Sequence, residues 1–253
     1  MGHSIQALHA SHDYLITQEK SGIVKLWSLQ ESHYQMTNSI ETYGGFCKSL
    51  VVKPNLIVPQ EKSLDIVHLR NMEKTRTLYT EVDSLGCIMC ITQVVINNKD
   101  YILGAYESGD IFLWSLEAAK LVSRSKLDEY PTTITFDSSK GTGIAASVKD
   151  FLQIFDINAN TLEITLGNRI TIPNQGVNIV KIREDSRIFV VGCWDNCIRY
   201  FNWKNFRCLA VLNEHTEPIT DIKFSPYPVK QWDSNIMAAG SQDGVISLWN
   251  LYS

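Results

Sequence analysis

Six times along this chain a short β-patterned run closes on a bulky residue pair, at intervals of roughly forty to fifty residues. The clearest copies are Gly22-Ile-Val-Lys-Leu-Trp27, Gly109-Asp-Ile-Phe-Leu-Trp114 and Gly244-Val-Ile-Ser-Leu-Trp249. Two blurred copies end in Ile154-Phe155-Asp156 and Arg199-Tyr200-Phe201, and a weak one runs from Leu64 to Leu69. A repeat of this length is one β-propeller blade, four antiparallel strands whose faces are buried only when neighbouring blades stack on them. The fold class expected is all-β, a β-propeller with six readable blades in a single domain over residues 1–253. Propellers mostly offer rigid binding surfaces, so recognition is expected before catalysis, although a fold alone leaves both open.

Alternation of β-branched and polar residues, as in Val177-Asn-Ile-Val-Lys-Ile182, favours strands over helices. Ser21-Gly22, Ser108-Gly109 and Asp243-Gly244 supply tight turns between the second and third strands of their blades. With the strands of each repeat labelled a to d, strand a of blade two is expected at 47–53 and strand d of blade four at 162–166. The last repeat offers strands at 219–225, 236–240 and 245–251 and then stops, so its outer strand must come from elsewhere. Only Met1, Gly2, His3 and Ser4 precede the first strand a, too few to lend one. The ends predict a chain that begins one blade late, with an unpaired edge on blade six, either gapped or squeezed into a six-fold closure.

Composition narrows the function classes. A formal net charge of −4 offers no basic stripe for nucleic acid, and no apolar run nears the ~20 residues that cross a bilayer. No Walker loop, Gly-x-Ser-x-Gly elbow or His-Glu-x-x-His pattern occurs. The histidines (His3, His9, His12, His33, His68 and His215) are scattered, without thiols or carboxylates at ligand spacing. Cys87-Ile-Met-Cys90 has CxxC spacing, yet residues three apart on a strand point to opposite faces. They are read as buried free thiols in a reducing compartment. No catalytic, cofactor-binding or metal-binding residue is nominated. With no charged-then-apolar leader at the N-terminus, the cytoplasm is the expected location, the nucleus being open as well.

One surface stands out. In a propeller the a–b loops and c–d turns emerge on the same rim, opposite the b–c turns. Blade five's c–d turn, Trp203-Lys-Asn-Phe206-Arg207, and blade six's long a–b loop, residues 226–235, bring four aromatics to that rim. Trp203, Phe206, Tyr227 and Trp232 are the candidate protein-binding residues, because exposed aromatic anchors dominate interface energetics. The alternative is that they fold back over their own blades. Trp194, in a b–c turn, faces the other rim.

The Gly2-His3 start, the Asp of Asp243-Gly244 and the Leu-Trp endings together resemble WD40 repeats. That resemblance implies a buried tetrad of His, turn Asp, strand-b hydroxyl and strand-c Trp in each blade, but no blade keeps the whole set. Blade six has His215, Asp243 and Trp249, with Ala239 where the hydroxyl is expected. Blade one has His3, Thr17 and Trp27, with Ser21 in the Asp position, and blade five keeps Asp195 but carries Phe201 for Trp. All are read as structural. More narrowly, Gly45-Phe-Cys-Lys-Ser49, Leu103-Gly-Ala-Tyr-Glu-Ser-Gly109, Gly192-Cys-Trp-Asp-Asn-Cys-Ile-Arg199 and the ending from Ala238 to Tyr252 resemble the guanine nucleotide-binding protein subunit beta-like protein 1 family, related to the yeast ASTRA-associated protein 1. The resemblance implies a seven-blade WD40 ring of which this chain lacks the first blade, and a non-enzymatic adaptor whose partners are proteins: the Tel2–Tti co-chaperone assembly and the phosphatidylinositol-3-kinase-related kinases it matures. Nucleic acid and membrane are not expected as partners. Nor is a G-protein γ subunit, since no N-terminal coiled-coil pattern is present. The alternatives are a propeller enzyme with a central-channel active site and a G-protein-β-like signalling scaffold.

Overall fold

Alternating and fully apolar runs both become strands here, and which kind a run is follows from its place in a blade. The computed structural model describes residues 4–31 and 33–251, and every regular element among them is a β-strand. Blade one is Ile5–Ala10, Tyr14–Glu19, Ile23–Gln30 and His33–Glu41. Blade two is Leu50–Val52, Asn55–Pro59, Leu64–His68 and Glu73–Leu78. Blade three is Ile88–Ile96, Lys99–Tyr106, Asp110–Ser115 and Lys120–Lys126. Blade four is Thr133–Asp137, Thr142–Ala146, Phe151–Ile157 and Ile164–Thr171. Blade five is Val177–Ile182, Ile188–Cys193, Ile198–Asn202 and Cys208–Leu212.

Blade six differs. It has three strands, Ile219–Phe224, Met237–Ser241 and Ile246–Trp249, and no fourth strand pairs with the last of them among the described residues. Ile5–Ala10 is paired with Tyr14–Glu19 inside blade one. The all-β content and the six blades agree with the repeat pattern. Contacts divide the chain into two compact units, Met1–Asp128 with blades one to three and Glu129–Ser253 with blades four to six.

Two strand boundaries depart from expectation. Strand a of blade two starts at Leu50 rather than 47, and strand d of blade four runs Ile164–Thr171. In the second case Leu162 takes a left-handed φ of 60° and its N–H donates to the Asn158 carbonyl, so it closes the turn instead of opening the strand.

Each core lies between consecutive sheets. Ile16, Val24 and Leu26 of blade one meet Leu56, Val58 and Val67 of blade two. Ile57, Ile66 and Leu78 meet Tyr106, Phe112 and Trp114 of blade three, where Tyr106 stands edge-on to Phe112 at 5.3 Å. In the second unit Ile144, Leu152 and Ile154 meet Phe189, Phe201 and Trp203, and Val190 and Tyr200 meet Ile219 and Met237. In blades two to five strands b and c are mostly buried on both faces, while strand d, on the outside, is mostly exposed in every four-stranded blade.

All five four-stranded blades also slip register between strands c and d, just before the c-strand position that carries Trp27, Val67, Trp114, Phe155 or Phe201. On strand b the partner of Phe155 is Gly143, and a Cβ there would lie 2.1 Å from the ring. Gly143→Ala is expected to destabilise by about 1–3 kcal/mol through overpacking. Gly240→Ala, whose Cβ would meet only Thr220 Oγ1 at 3.6 Å, should leave stability unchanged or raise it by up to about 1 kcal/mol. Urea denaturation of both variants checks the contrast.

Candidate functional site

Polar groups inside the blades come first, because whatever they bind is unavailable to a ligand. In blade six, Trp249 Nε1 donates to Ser247 Oγ at 2.8 Å, Ser247 Oγ meets His215 Nε2 at 2.7 Å, and His215 Nδ1 meets Asp243 Oδ2 at 3.0 Å. The hydroxyl missing at Ala239 is thus supplied by Ser247, its directly opposite partner on strand c. Facing residues of an antiparallel pair project to one side of the sheet, so either strand can place an oxygen there.

In blade one, Trp27 Nε1 donates to Thr17 Oγ1 at 2.9 Å, while His3 lies outside the described residues. In blade five Phe201, stacked on Phe189 at 4.8 Å, leaves no donor for a tetrad, and Arg199 takes over. Its Nη1 and Nη2 donate to the two oxygens of Asp195 at 2.9 and 2.5 Å.

A pattern missed in the sequence emerges from that register slip. Two residues before the aromatic or Val that follows it, and before Trp249 in blade six, stand Lys25, Asp65, Phe112, Gln153, Arg199 and Ser247. Five of the six are polar, and each is bonded inside its own blade. Lys25 pairs with Glu19; Asp65 accepts from Gln60 and Thr77; Gln153 accepts from Arg169. A period-2 reading from the repeat's Trp would have found this position.

These bonds set the charge state of the acids. Arg199 holds the Asp195 carboxyl below the usual carboxylate range. At Asp110, burial opposes ionisation, but hydrogen bonds from Ser108 and Arg124 outweigh it and lower the pKa. Burial likewise opposes ionisation at Asp243, yet the Val245 N–H, His215 and the Thr216 N–H bring it down to about 2. The thiols move the other way: burial pushes Cys193 up to about 11 and raises Cys47 and Cys90. All six cysteines are free, Cys87 and Cys90 being half-buried. Among the described residues no three His, Cys, Asp or Glu side chains gather as metal ligands.

The four candidate docking aromatics separate into two pairs. Trp203 is 2 % exposed. Its Nε1 donates to Asp137 Oδ2 at 2.7 Å, at the end of strand a in blade four, and Phe189 and Phe206 both stand edge-on to it at 5.5 Å. Phe206, with a φ of 59° that closes the turn over Asn202, is partly buried against the same cluster. Trp203 and Phe206 are therefore corrected from exposed anchors to packing residues. Strand c continues past its end: Phe201 and Trp203 are two apart and share its inner side, and Asp137 supplies the acceptor a buried indole requires.

Tyr227 and Trp232 stay outside, 78 % and 41 % exposed. Their loop is ordered by its own backbone: Val229 bridges Ser234, the Trp232 N–H donates to the Val229 carbonyl at 2.9 Å, and Asn235 Nδ2 donates to the Ser225 carbonyl. Trp194, 44 % exposed, donates from Nε1 to Asn178 Oδ1 at 2.6 Å and lies over Gly176, where a Cβ would clash with the indole at 2.3 Å.

Trp203→Ala should cost about 3–5 kcal/mol in urea denaturation, whereas Trp232→Ala should fall within about 0.5 kcal/mol of the parent protein. Asp243 gives a pH prediction. Its folded pKa lies below the ~3.9 of an unfolded Asp. Its contribution is therefore present above about pH 4 and is lost as pH falls toward about 2. The difference in melting temperature between the parent and Asp243→Asn should be largest above pH 4 and shrink toward pH 2, followed by circular dichroism.

Residues 206–250, from the c–d turn of blade five through blade six, match the WD domain, G-beta repeat family. The chain is 31 % identical over 251 residues to guanine nucleotide-binding protein subunit beta-like protein 1 of Mus musculus, an alignment covering 94 % of this chain and 74 % of that protein. It is 23 % identical over 266 residues to ASTRA-associated protein 1 of Schizosaccharomyces japonicus, covering 93 % and 70 %. It is 24 % identical over 217 residues to a striatin homolog of Dictyostelium discoideum, covering 78 % and 24 %. The WD40 repeats and these relatives support a protein-interaction scaffold with protein partners, and point away from an enzyme. On the strength of an identity that runs through nearly the whole set of blades, the chain belongs to the guanine nucleotide-binding protein subunit beta-like protein 1 family.

Proposed function

We propose that this protein is a non-enzymatic adaptor of the cytoplasm and nucleus that works with the Tel2–Tti co-chaperone assembly in maturing phosphatidylinositol-3-kinase-related kinases. The observation that carries the adaptor reading is the loop at 225–236, which holds Tyr227 and Trp232 in solvent on an internally bonded scaffold. Ordering such a loop in advance reduces the entropy lost when a partner docks. The link to the assembly rests on family membership and on relatives named for association with ASTRA.

Carboxyls with pKa values raised toward neutrality would favour a propeller enzyme. Asp110, Asp137, Asp195 and Asp243 are all shifted downward instead, each held by protein donors. Such groups anchor structure. The reading gives no role to nucleic acid, membrane or a G-protein γ subunit.

Affinity-tagged protein, expressed in cultured cells and blotted for the Tel2 and Tti subunits, tests the proposal. The parent protein and Trp194→Ala should both retain the subunits, and the Tyr227→Ala/Trp232→Ala double variant should lose at least tenfold. Equal retention by the double variant would remove this loop as the docking site. Absence of the subunits from the parent capture would overturn the assignment to the assembly.

A further inference from the structure

The first unit carries a second exposed aromatic feature that the adaptor reading does not use. Phe46, 72 % exposed, stands at the rim of a cavity of about 80 Å³, with Tyr43, Cys47, Pro59, Cys87 and Ile88 as its walls. Loops from three blades meet there: the d–a connections before blades two and three, and the b–c turn of blade two.

The cleft is built. Gln60 accepts from the Tyr43 N–H at 3.0 Å and donates from Nε2 to Asp65 at 2.9 Å, and Asp65 in turn accepts from Thr77. The one polar side chain in the lining able to reach a ligand through an amide is thus spent on holding the loop. Gly44 lets that loop approach the turn at Lys20-Ser21, where a Cβ would meet the Lys20 carbonyl at 3.0 Å. Gly45 lies against the Tyr43 ring at 3.1 Å on the same measure.

Charge is divided along the cleft. At one end the Lys20 ammonium sits 5.6 Å from the Phe46 ring centroid. At the other end are two exposed acids. Glu107 packs its carboxylate on Gly86 and accepts from the Cys87 N–H, and Glu61 takes the Ile88 N–H on its carbonyl. The Tyr43 hydroxyl reports on that end: its bond with Cys87 raises its pKa first, and the charges of Glu61 and Glu107 add to the rise.

Size and charge together select an occupant. The cavity is about half the roughly 150 Å³ that accepts benzene in an apolar site, so it suits an aliphatic side chain rather than a ring. Two carboxylates beside it favour a cation on the occupant, as complementary charge sets register at interfaces. We propose that the cleft between Tyr43 and Phe46 docks an extended protein segment in which a Leu, Ile, Val or Met side chain enters the cavity and a neighbouring Lys or Arg meets Glu61 and Glu107. This rests on the reading of the protein as an adaptor, but on a surface separate from Tyr227 and Trp232.

The test is selection from a random dodecapeptide library displayed on phage, panned on the full chain and counter-selected on Phe46→Ala. Because Phe46 is exposed, that variant should keep the parent melting temperature. Enriched peptides should share an aliphatic residue with Lys or Arg within two positions. A fluorescent copy of the selected peptide should bind Phe46→Ala and the Glu61→Lys/Glu107→Lys variant at least tenfold more weakly. It should also weaken on the parent as salt rises, and be indifferent to Trp232→Ala. No consensus, an aromatic or acidic consensus, or affinity unmoved by Phe46→Ala would overturn the proposal. So would a parent dimer in sedimentation that Phe46→Ala dissociates, which would give the cleft to a second copy. Loss of the consensus with Tel2–Tti capture intact removes the cleft alone, and loss of capture with the consensus intact removes the assembly alone.

Discussion

The structure depends on strands b and c being buried on both faces in blades two to five. No single four-stranded sheet can bury such strands, so each blade is stable only with another sheet laid against it. Leu56 and Val58 of blade two look toward blade one while Ile57 looks toward blade three, and all three are inaccessible to water. Ile246 and Leu248 on strand c of blade six, 72 % and 51 % exposed, are the contrast: their counterparts Ile111 and Leu113 in blade three are fully buried.

Burial on both faces leaves little tolerance for an unpaired polar atom, which would cost about 1–3 kcal/mol. The blades meet this with different chemistry at one geometric position. Ser247 relays between Trp249 and His215, Arg199 clamps Asp195 with two hydrogen bonds, and Gln153 spans Arg169 and the Gly167 carbonyl. The WD40 tetrad is one solution among these, which explains why its letters can drift while the blade survives. The Arg199 clamp also depresses Asp195, so that acid serves as part of the frame.

Among the loops, aromatic content alone does not separate frame from surface. Trp203 and Trp232 both lie in connections between strands, yet one is buried on Asp137 and the other is held in solvent. What separates them is the presence of an acceptor and an aromatic wall within reach. Phe189 and Asp137 receive Trp203, whereas the 225–236 loop bonds mainly to itself.

Local chemistry determined a good deal. The repeat period, the turn glycines and the period-2 patterning specify blades and strand order, because each depends on residues close together in the chain. For Tyr227 and Trp232 the sequence left exposure and folding back both open. Tertiary structure alone decided which residues meet across blades. It put Trp203 on an aspartate sixty-six positions away, took the blade-six hydroxyl from the opposite strand, and built the Phe46 cleft from three loops. The physical reason is the same each time. A hydrogen bond or a cavity belongs to a set of surfaces, and which surfaces face each other is settled only when the sheets stack.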